Sequence, residues 1–264
     1  MGQLAFIGMG LGDERDLSPR ARELLQRCGA VFAESYTSVL AAGSLPRLSR
    51  ELKRRIRVLP RGEVEAERPI LQALGRYPRV GFLVAGDPFA ATTHVALRLA
   101  AERAGHSWTY LPNASVLTSA PGFLGLQHYR FGRTVSVPFP SPGFAPRSPL
   151  DGIAQNQAQD LHTLVLLDLQ PEERRFMTAN EAIRILAERD ADSARHVLPE
   201  DRWLAVVARV GTDTAQAWYG PRAILEVADF GPPLHSVVVP APTLHFEERA
   251  ALESFRLASL GGPT

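Results

Sequence analysis

Short apolar runs alternate with amphipathic stretches over the first 112 residues of the chain. Short apolar runs predict strands buried in a sheet, whereas apolar residues that recur at helical spacing predict helices. Strands that alternate with helices are typical of a mostly parallel sheet covered on both faces. The predicted strands are 4–7, 30–33, 56–59, 80–85 and 107–111. The predicted helices are one opened by Ser18-Pro19 and ended by Gly29, and then 45–55, 69–76 and 91–100.

The rest of the chain predicts a second α/β domain with a mixed sheet. Pro112-Asn113 is the predicted boundary, which gives domains 1–112 and 113–264. Two predicted strands lie close together on either side of Gly211, so an antiparallel hairpin is expected there. The pattern predicts helices 114–126, 178–189, 221–227 and 246–257, strands 134–138, 161–169, 203–208, 215–219 and 236–239, and a Pro/Gly/Ser-rich loop over 139–149.

One stretch, 82–94, combines several signals of a ligand site. A buried strand leads into Gly86, which permits a sharp turn or a close approach to a ligand. Asp87-Pro88 is the signature of a helix start, with a capping carboxylate followed by proline. In an open α/β sheet, ligands bind where strands end and helices begin. The other interpretation is an ordinary strand-to-helix loop with a good cap.

The composition limits which classes of function are expected for this chain. The chain has 29 basic and 28 acidic residues, so its formal net charge is +1 and no field of one sign is expected to hold nucleic acid or a membrane surface. Lys53 is the only lysine, and the arginines are scattered along the sequence. The single cysteine, Cys28, excludes an internal disulfide. With no leader peptide or membrane span in the pattern, we expect a soluble cytoplasmic protein.

Three glycines follow the first strand and imitate a dinucleotide-binding fingerprint. Gly8, Gly10 and Gly12 precede a second strand that ends in Glu34. In that fingerprint the last glycine lies in the helix that receives the pyrophosphate, but here the helix signal begins only at Ser18-Pro19. A nicotinamide or flavin site is therefore not expected. The glycines serve either close approach to another ligand or a tight turn.

The motifs taken together resemble the diphthine synthases of the tetrapyrrole methylase superfamily. Their order is the family's order, and they cover nearly the whole chain. The matching stretches are 6–16 (FIGMGLGDERD), 34–38 (ESYTS), 86–88 (GDP), 91–94 (ATTH), 161–164 (LHTL) leading to Asp168, 177–182 (MTANEA), 208–211 (ARVG), 230–235 (FGPPLH) and 244–245 (LH).

The resemblance implies two α/β domains of the tetrapyrrole methylase type, with S-adenosyl-L-methionine bound in the cleft between them. It also implies methylation of the amino group on an aminocarboxypropyl-histidine of translation elongation factor 2, and a homodimer. No metal, nucleic acid or membrane partner is implied. The cofactor-binding residues carried over from the family are Leu11, Asp87, Ala90, Ser115, Val116, Leu167, Val210 and His235.

The residues leave the acid–base chemistry open. Methyl transfer to an amine needs alignment more than proton transfer. His94, His162 and Asp168 are candidates for a general base by location, and each could equally be structural, so no catalytic residue is assigned. The acidic stretch 13–16 either holds the acceptor or is a solvated loop with internal ion pairs. The loop 144–149 and Asn113, which stands where proline is usual, depart from the family pattern.

Three other hypotheses about the function remain open at this point. A relative that methylates a corrin-type tetrapyrrole would share Gly86-Asp87-Pro88, but it has no reason to carry the blocks around Tyr36 and His94. A non-catalytic protein could use the same residues to sense the cofactor. A nicotinamide-dependent oxidoreductase is the weakest of the three.

Overall fold

The computed structural model describes residues 1–144, 146–192 and 196–257. Within them the chain forms two compact units. The first contains residues 1–116 and 169–175, and the second contains residues 117–168 and those from 176 onward. The boundary at Pro112-Asn113 stays a prediction.

The first unit is built on a five-stranded sheet in which every strand pair is parallel, as the alternation predicted. The strand order is β3-β2-β4-β1-β5. The strands are β1 Gln3–Gly8, β2 Ala30–Glu34, β3 Ile56–Leu59, β4 Arg79–Val84 and β5 Ser107–Leu111. The helices are α1 Pro19–Gln26, α2 Ser44–Glu51, α3 Arg61–Glu65, α4 Arg68–Leu74 and α5 Val95–Arg103.

Each face of this sheet has its own apolar core. On one face Leu25 of α1 and Leu48 of α2 pack with Ala5 and Ile7 of β1. On the other face α4 and α5 pack against the alternate strand residues, among them Phe6. Successive side chains of a strand point to opposite faces, so a strand covered on both sides is apolar throughout.

The helix bounds differ from the predictions where a helix is short or weakly capped. Helix α2 ends at Glu51 rather than 55, and α4 is Arg68–Leu74 rather than 69–76. Helix α3 was not predicted, because its five residues bury only Val64 and show no apolar repeat. Ser18 does cap α1, with its hydroxyl accepting a hydrogen bond from Ala21 N at 3.2 Å.

The second unit contains a mixed sheet, as predicted, in the order β11-β10-β12-β7-β6. Strands β6 and β7 are parallel, and the other three pairings are antiparallel, including the predicted hairpin of β10 and β11. The strands of this sheet are β6 Val135–Val137, β7 Thr163–Leu167, β10 Trp203–Ala208, β11 Gln216–Pro221 and β12 His235–Val239. Two further strands, β8 Leu169–Gln170 and β9 Arg175–Phe176, flank the segment 169–175 that is assigned to the first unit. The helices are α6 Val116–Leu124, α7 Ser148–Ala158, α8 Ala179–Ala191, α9 Arg222–Leu225 and α10 Phe246–Glu253.

The strand predicted over 161–169 is interrupted at Asp168. Asp168 Oδ2 accepts a hydrogen bond from Phe139 N at 3.0 Å, and the Asp168 carbonyl accepts one from Met177 N at 3.0 Å. Beyond it β8 pairs only with β9 in a separate two-stranded ribbon. The loop predicted over 139–149 is shorter than expected, because α7 begins at Ser148. Ala145 of that loop lies outside the described residues.

A buried carboxylate joins distant segments of the second unit. Glu248 of α10 has no exposed surface. Its Oε1 accepts hydrogen bonds from Gln127 N and His162 Nε2, both at 3.0 Å. Its Oε2 accepts from Arg130 Nη1 at 2.6 Å and from His245 N at 3.1 Å. Burial opposes ionisation, but the donors that face the carboxylate lower its pKa.

None of the helices in the described part of the chain combines the length and the hydropathy needed to cross a bilayer.

Replacing Glu248→Gln is expected to lower the free energy of unfolding by about 3 kcal/mol. The buried carboxylate accepts four hydrogen bonds, and the NH2 group of glutamine cannot accept those made to the oxygen that it replaces. Arg130 also loses one of its two carboxylate partners and keeps only Asp160. Urea denaturation measures the change. Glu253→Gln on the same helix is the matched control: its partner Arg256 is exposed, and a change below about 1 kcal/mol is expected. Equal effects of the two substitutions would contradict the role of Glu248.

Stability is expected to fall on acidification from pH 7.5 to 5.5. Burial lowers the pKa of His162, so below about pH 6.5 the unfolded chain binds a proton that the native imidazole does not. The stabilising contribution is complete above the unfolded-state pKa and is lost as the pH falls below it. Urea midpoints across this range should vary less with pH in His162→Gln, whereas His128→Gln, at an exposed ring, should keep the wild-type slope.

Candidate active site

The order of the first sheet creates a switch point between β1 and β4. Strand β1 connects through α1 to β2 on one side, and β4 connects through α5 to β5 on the other. The two helices cover opposite faces of the sheet. Loops that leave neighbouring strands in opposite directions open a crevice at their carboxyl ends, where α/β proteins bind ligands.

Glycines bring the loops after β1 and β4 into direct contact. Gly10 N donates to Gly86 O at 3.3 Å, and Gly86 N donates to Gly10 O at 2.7 Å. Both residues have positive φ, +75° and +73°. A Cβ at Gly8 would lie 2.7 Å from both Gly86 O and the Asn113 Cβ. The glycine cluster therefore serves close approach between loops, and its dinucleotide-like spacing is a coincidence.

Asp87 is the buried acid of this strand edge, and it does not cap a helix as the Asp-Pro signature predicted. Its Oδ1 accepts from Phe89 N at 2.9 Å, which closes a turn. Helix α5 begins only at Val95, after His94. Oδ2 of Asp87 accepts from Tyr110 Oη at 2.5 Å and from Asn113 N at 3.2 Å. Burial, with the Asp87 hydrogen bond second, raises the pKa of Tyr110 to about 12, so the phenol stays a donor.

Asn113 ties the three loops together. Besides donating its N–H to Asp87, it donates through Nδ2 to Gly8 O at 3.0 Å and to Asp16 O at 3.1 Å. A proline at this position would lack both the backbone and the side-chain donors. The departure from the family pattern therefore has a structural use.

His94 is held inside the first unit and is not a free base. Its Nδ1 lies 2.8 Å from Pro88 O, and its Nε2 lies 3.2 Å from Tyr36 Oη. The ring is 1% exposed, and burial lowers its pKa. A neutral ring that donates from Nδ1 to the carbonyl and accepts at Nε2 from the phenol satisfies both contacts. The ring therefore joins the turn after β4 to Tyr36, which follows β2.

The acidic stretch 13–16 uses its charges internally. Asp13 pairs with Arg15, and the Glu14 carboxylate pairs with Arg47. Arg15 and Arg47 respectively lower the pKa of the two acids. Asp16 Oδ2 accepts from Gly12 N at 2.7 Å. This pattern favours the interpretation of a loop with internal ion pairs.

Five residues carried over from the family lie at the carboxyl edge of the first sheet. Four of them are half-buried, whereas Asp87 is buried. The five are Leu11 after β1, Asp87 and Ala90 after β4, and Ser115 and Val116 after β5.

These residues fit S-adenosylmethionine, whose hydroxyls and ammonium are hydrogen-bond donors and whose adenine is an apolar ring with polar edges. A carboxylate oxygen has two acceptor positions, and among the described residues Asp87 Oδ1 takes one hydrogen bond only. One position is left for a ligand donor. The flanking apolar side chains and main-chain groups suit the remainder of such a ligand.

The three residues predicted in the second unit meet at one edge of its sheet. His235 begins β12 and pairs with Ala208 at the end of β10, two residues before Val210. Strand β12 is antiparallel to β7, with Val237 opposite Val165, so the same register continued brings His235 level with Leu167. The antiparallel pairing therefore places the amino end of β12 beside the carboxyl ends of β10 and β7.

His235 is neutral and fixed at this edge. Its Nδ1 accepts from Ala179 N at 3.2 Å, and its Nε2 lies 3.2 Å from Pro232 O. Burial lowers its pKa. The ring thus connects the start of α8 with the loop before β12.

His162 and Asp168, the two candidate bases besides His94, also have structural roles. His162 has no exposed surface, and its Nδ1 accepts from Ala241 N at 2.8 Å while its Nε2 faces Glu248. Asp168 holds the loop at Phe139. Among the described residues, no three His, Cys, Asp or Glu side chains are grouped so that they could hold a metal ion.

Sequence reasoning did not find Tyr110, the strongest partner of Asp87. Its only signal is its position on β5, two residues after Trp108, on a strand whose alternate residues are exposed. Phe89 packs beside both rings, with centroids 5.0 Å from Tyr110 and 6.4 Å from Trp108. The contact joins residues 23 positions apart, which no local pattern encodes.

Comparison with known proteins gives matches over most of the chain. The family model described as Tetrapyrrole (Corrin/Porphyrin) Methylases matches residues 3–225. A diphthine synthase of Methanothermobacter thermautotrophicus is 40% identical over 246 residues, 93% of this chain and 92% of that protein. A diphthine synthase of Methanoregula boonei is 40% identical over 96% of this chain and 98% of its own.

Solved structures show the same relationship. The crystal structure of an Entamoeba histolytica protein assigned as a diphthine synthase has a TM-score of 0.89 and 34% identity, and the match covers 98% of this chain and 100% of that one. A crystal structure of a diphthine synthase matches with a TM-score of 0.85 and 33% identity, over 97% and 96% of the two chains.

The resemblance seen in the motifs thus extends over almost the whole length of these relatives, in sequence and in fold. The chain belongs to the tetrapyrrole methylase family, within it to the diphthine synthases, and is an S-adenosylmethionine-dependent methyltransferase of diphthamide biosynthesis.

Proposed function

We propose that this enzyme methylates the amino group of the aminocarboxypropyl arm on a histidine of translation elongation factor 2. The proposal includes a homodimer that works in the cytoplasm. The observation that carries it is the full-length similarity to diphthine synthases, because the family model alone would fit a tetrapyrrole substrate equally well.

For the cofactor we propose contacts from all eight residues carried over from the family. What supports this is their arrangement: they fall into two groups, each at one sheet edge, although they are spread from Leu11 to His235 in the sequence. Asp87 would accept from a ribose hydroxyl or from the ammonium of the cofactor. The main chain beside Ala90 and Val210 would meet its polar edges.

When bound, the cofactor supplies a methyl group on a sulfonium, which is a good leaving group. The contribution of the protein is to align an unprotonated amine with that methyl, and alignment is worth roughly 7–11 kcal/mol in such displacements. Tyr110 and Asn113 hold the Asp87 carboxylate, so it is fixed before any ligand arrives. His94, His162 and His235 each use both ring nitrogens within the protein, which favours proton loss to water.

S-adenosylmethionine is expected to raise the melting temperature of the protein, because it binds the native state only. NADH should leave the melting temperature unchanged, since the glycine loop is closed on itself and on Asp16. A thermal-shift titration with both compounds makes the comparison. Stabilisation by NADH without stabilisation by S-adenosylmethionine would contradict the proposed site.

Asp87→Asn is expected to weaken S-adenosylmethionine binding by roughly 10- to 100-fold, the cost of about 1.5–3 kcal/mol for a lost hydrogen bond to a charged group. Tyr110→Phe removes only the support of the carboxylate and should give a smaller loss in the same direction. Isothermal titration calorimetry measures both affinities. Asp201→Asn, at an exposed carboxylate, is the control and should bind normally. Unchanged affinity in Asp87→Asn would remove this residue from the site.

The substrate is tested by incubating the enzyme with labelled S-adenosylmethionine and elongation factor 2 that carries the unmethylated arm. Intact-mass analysis should show additions of whole methyl groups, and their number gives the extent of methylation. A factor in which the modified histidine is replaced by alanine is the control and should gain none. Label in a corrin-type tetrapyrrole, and none in the factor, would support the tetrapyrrole alternative.

A further inference from the structure

A groove lies at the opposite edge of the first sheet from the candidate active site. It runs between α4 and the amino-terminal ends of β2 and β3, and its volume is about 560 Å³. Cavities of this size hold small-molecule ligands. Its residues belong wholly to the first unit, and none of them is among the eight cofactor residues.

Buried apolar side chains form the floor of the groove, whereas polar groups make up the larger part of its exposed lining. Phe32 of β2 lies on the sheet face that packs against α4, and Ala73 of α4 is buried in the same core. Tyr77 closes one end, and its ring lies so close to Gly29 that a Cβ at Gly29 would collide with it. The ring is therefore held in place while 42% of the residue remains exposed. A fixed aromatic ring beside an apolar floor suits a flat ligand.

The rim of the groove is cationic. Three arginines line the groove: Arg55 just before the edge strand β3, Arg57 within that strand, and Arg76 two residues beyond the end of α4. Arg57 is paired with Glu63. The side chains of Arg55 and Arg76 make no hydrogen bond or ion pair with any residue that the structure describes.

These charges favour an anion with several oxygens. Two unpaired guanidiniums and one shared guanidinium leave the rim with an excess of two positive charges over the Glu63 carboxylate. The carboxyl end of α4 brings a small opposing dipole, which is equivalent to about half a charge at most. Arginine forks match the geometry of phosphate oxygens, which is why they recur at phosphate sites. The formal net charge of the whole sequence is only +1, but the fold gathers these three cations around one groove.

We infer that the groove between α4 and β2–β3 binds a small planar ligand that carries a phosphate group. The guanidiniums of Arg55 and Arg76 hold the phosphate, and the planar part lies against the exposed ring of Tyr77. This ligand is distinct from the methyl donor and from the protein acceptor of the proposed reaction.

Guanosine 5′-monophosphate is the probe, because the cofactor itself contains adenine. Calorimetric titrations with this nucleotide, with guanosine and with inorganic phosphate are carried out with S-adenosylhomocysteine in saturating excess. We expect the nucleotide to bind more tightly than either of its parts. In the double variant Arg55→Gln/Arg76→Gln its affinity should fall at least about tenfold, since charge-assisted hydrogen bonds are lost. Arg20→Gln, at an exposed arginine of α1, is the matched control and should bind as the wild type does.

Several results would overturn the inference: no binding of the nucleotide to the wild-type protein, equal affinity in the double variant, or inorganic phosphate binding as tightly as the nucleotide. The thermal shift given by S-adenosylmethionine is measured in the same variants. It should be unchanged, because Arg55 and Arg76 lie at the opposite edge of the sheet from Asp87. A failure at the groove is thereby distinguishable from a failure of the methyltransferase site.

Discussion

The carboxylate of Asp87 and the side chain of Asn113 determine how the loops at the carboxyl edge of the first sheet are arranged. Tyr110 and the Asn113 main chain bind one carboxylate oxygen, and Asn113 in turn binds the main chain after β1. Main-chain atoms can come this close only because Gly8 lacks a side chain. The site is therefore preorganised by bonds among strand ends, and a ligand need not order them on binding.

The regular part of this fold could be predicted from the pattern of apolar residues. Strands β3, β5 and β10 were predicted with their exact bounds. Strands β3 and β5 each end directly before a proline, which cannot donate a hydrogen bond in a sheet. Asp87 shows where this reasoning fails. An aspartate before a proline is compatible with a helix cap and with a turn closed by the aspartate itself. Contacts with Tyr110 and Asn113, far along the chain, decide between the two.

The residues of the candidate site could be predicted from the sequence less completely than the fold. Asp87 has a chemical signal, but Leu167 and Val210 are apolar residues at strand ends that resemble many others. Only the resemblance to a family singled them out. What the structure adds is the reason for their grouping: β12 is antiparallel to its two neighbours, so His235 at its start lies at the edge where β7 and β10 end.

The four hydrogen bonds of Glu248 have a consequence for the order in which the two units can fold during synthesis. The five strands of the first sheet have all been synthesised once the chain reaches Leu111. The second unit, by contrast, must wait for α10 before Arg130 gains its second carboxylate partner, after Asp160, and before His162 gains its hydrogen-bond acceptor. During translation the amino-terminal sheet can assemble on the ribosome while the second unit is still incomplete, because His162 and the main chain at Gln127 still lack the acceptor that Glu248 supplies. A nascent chain that stalls before residue 248 would leave one ordered half attached to one that is open to chaperones and proteases.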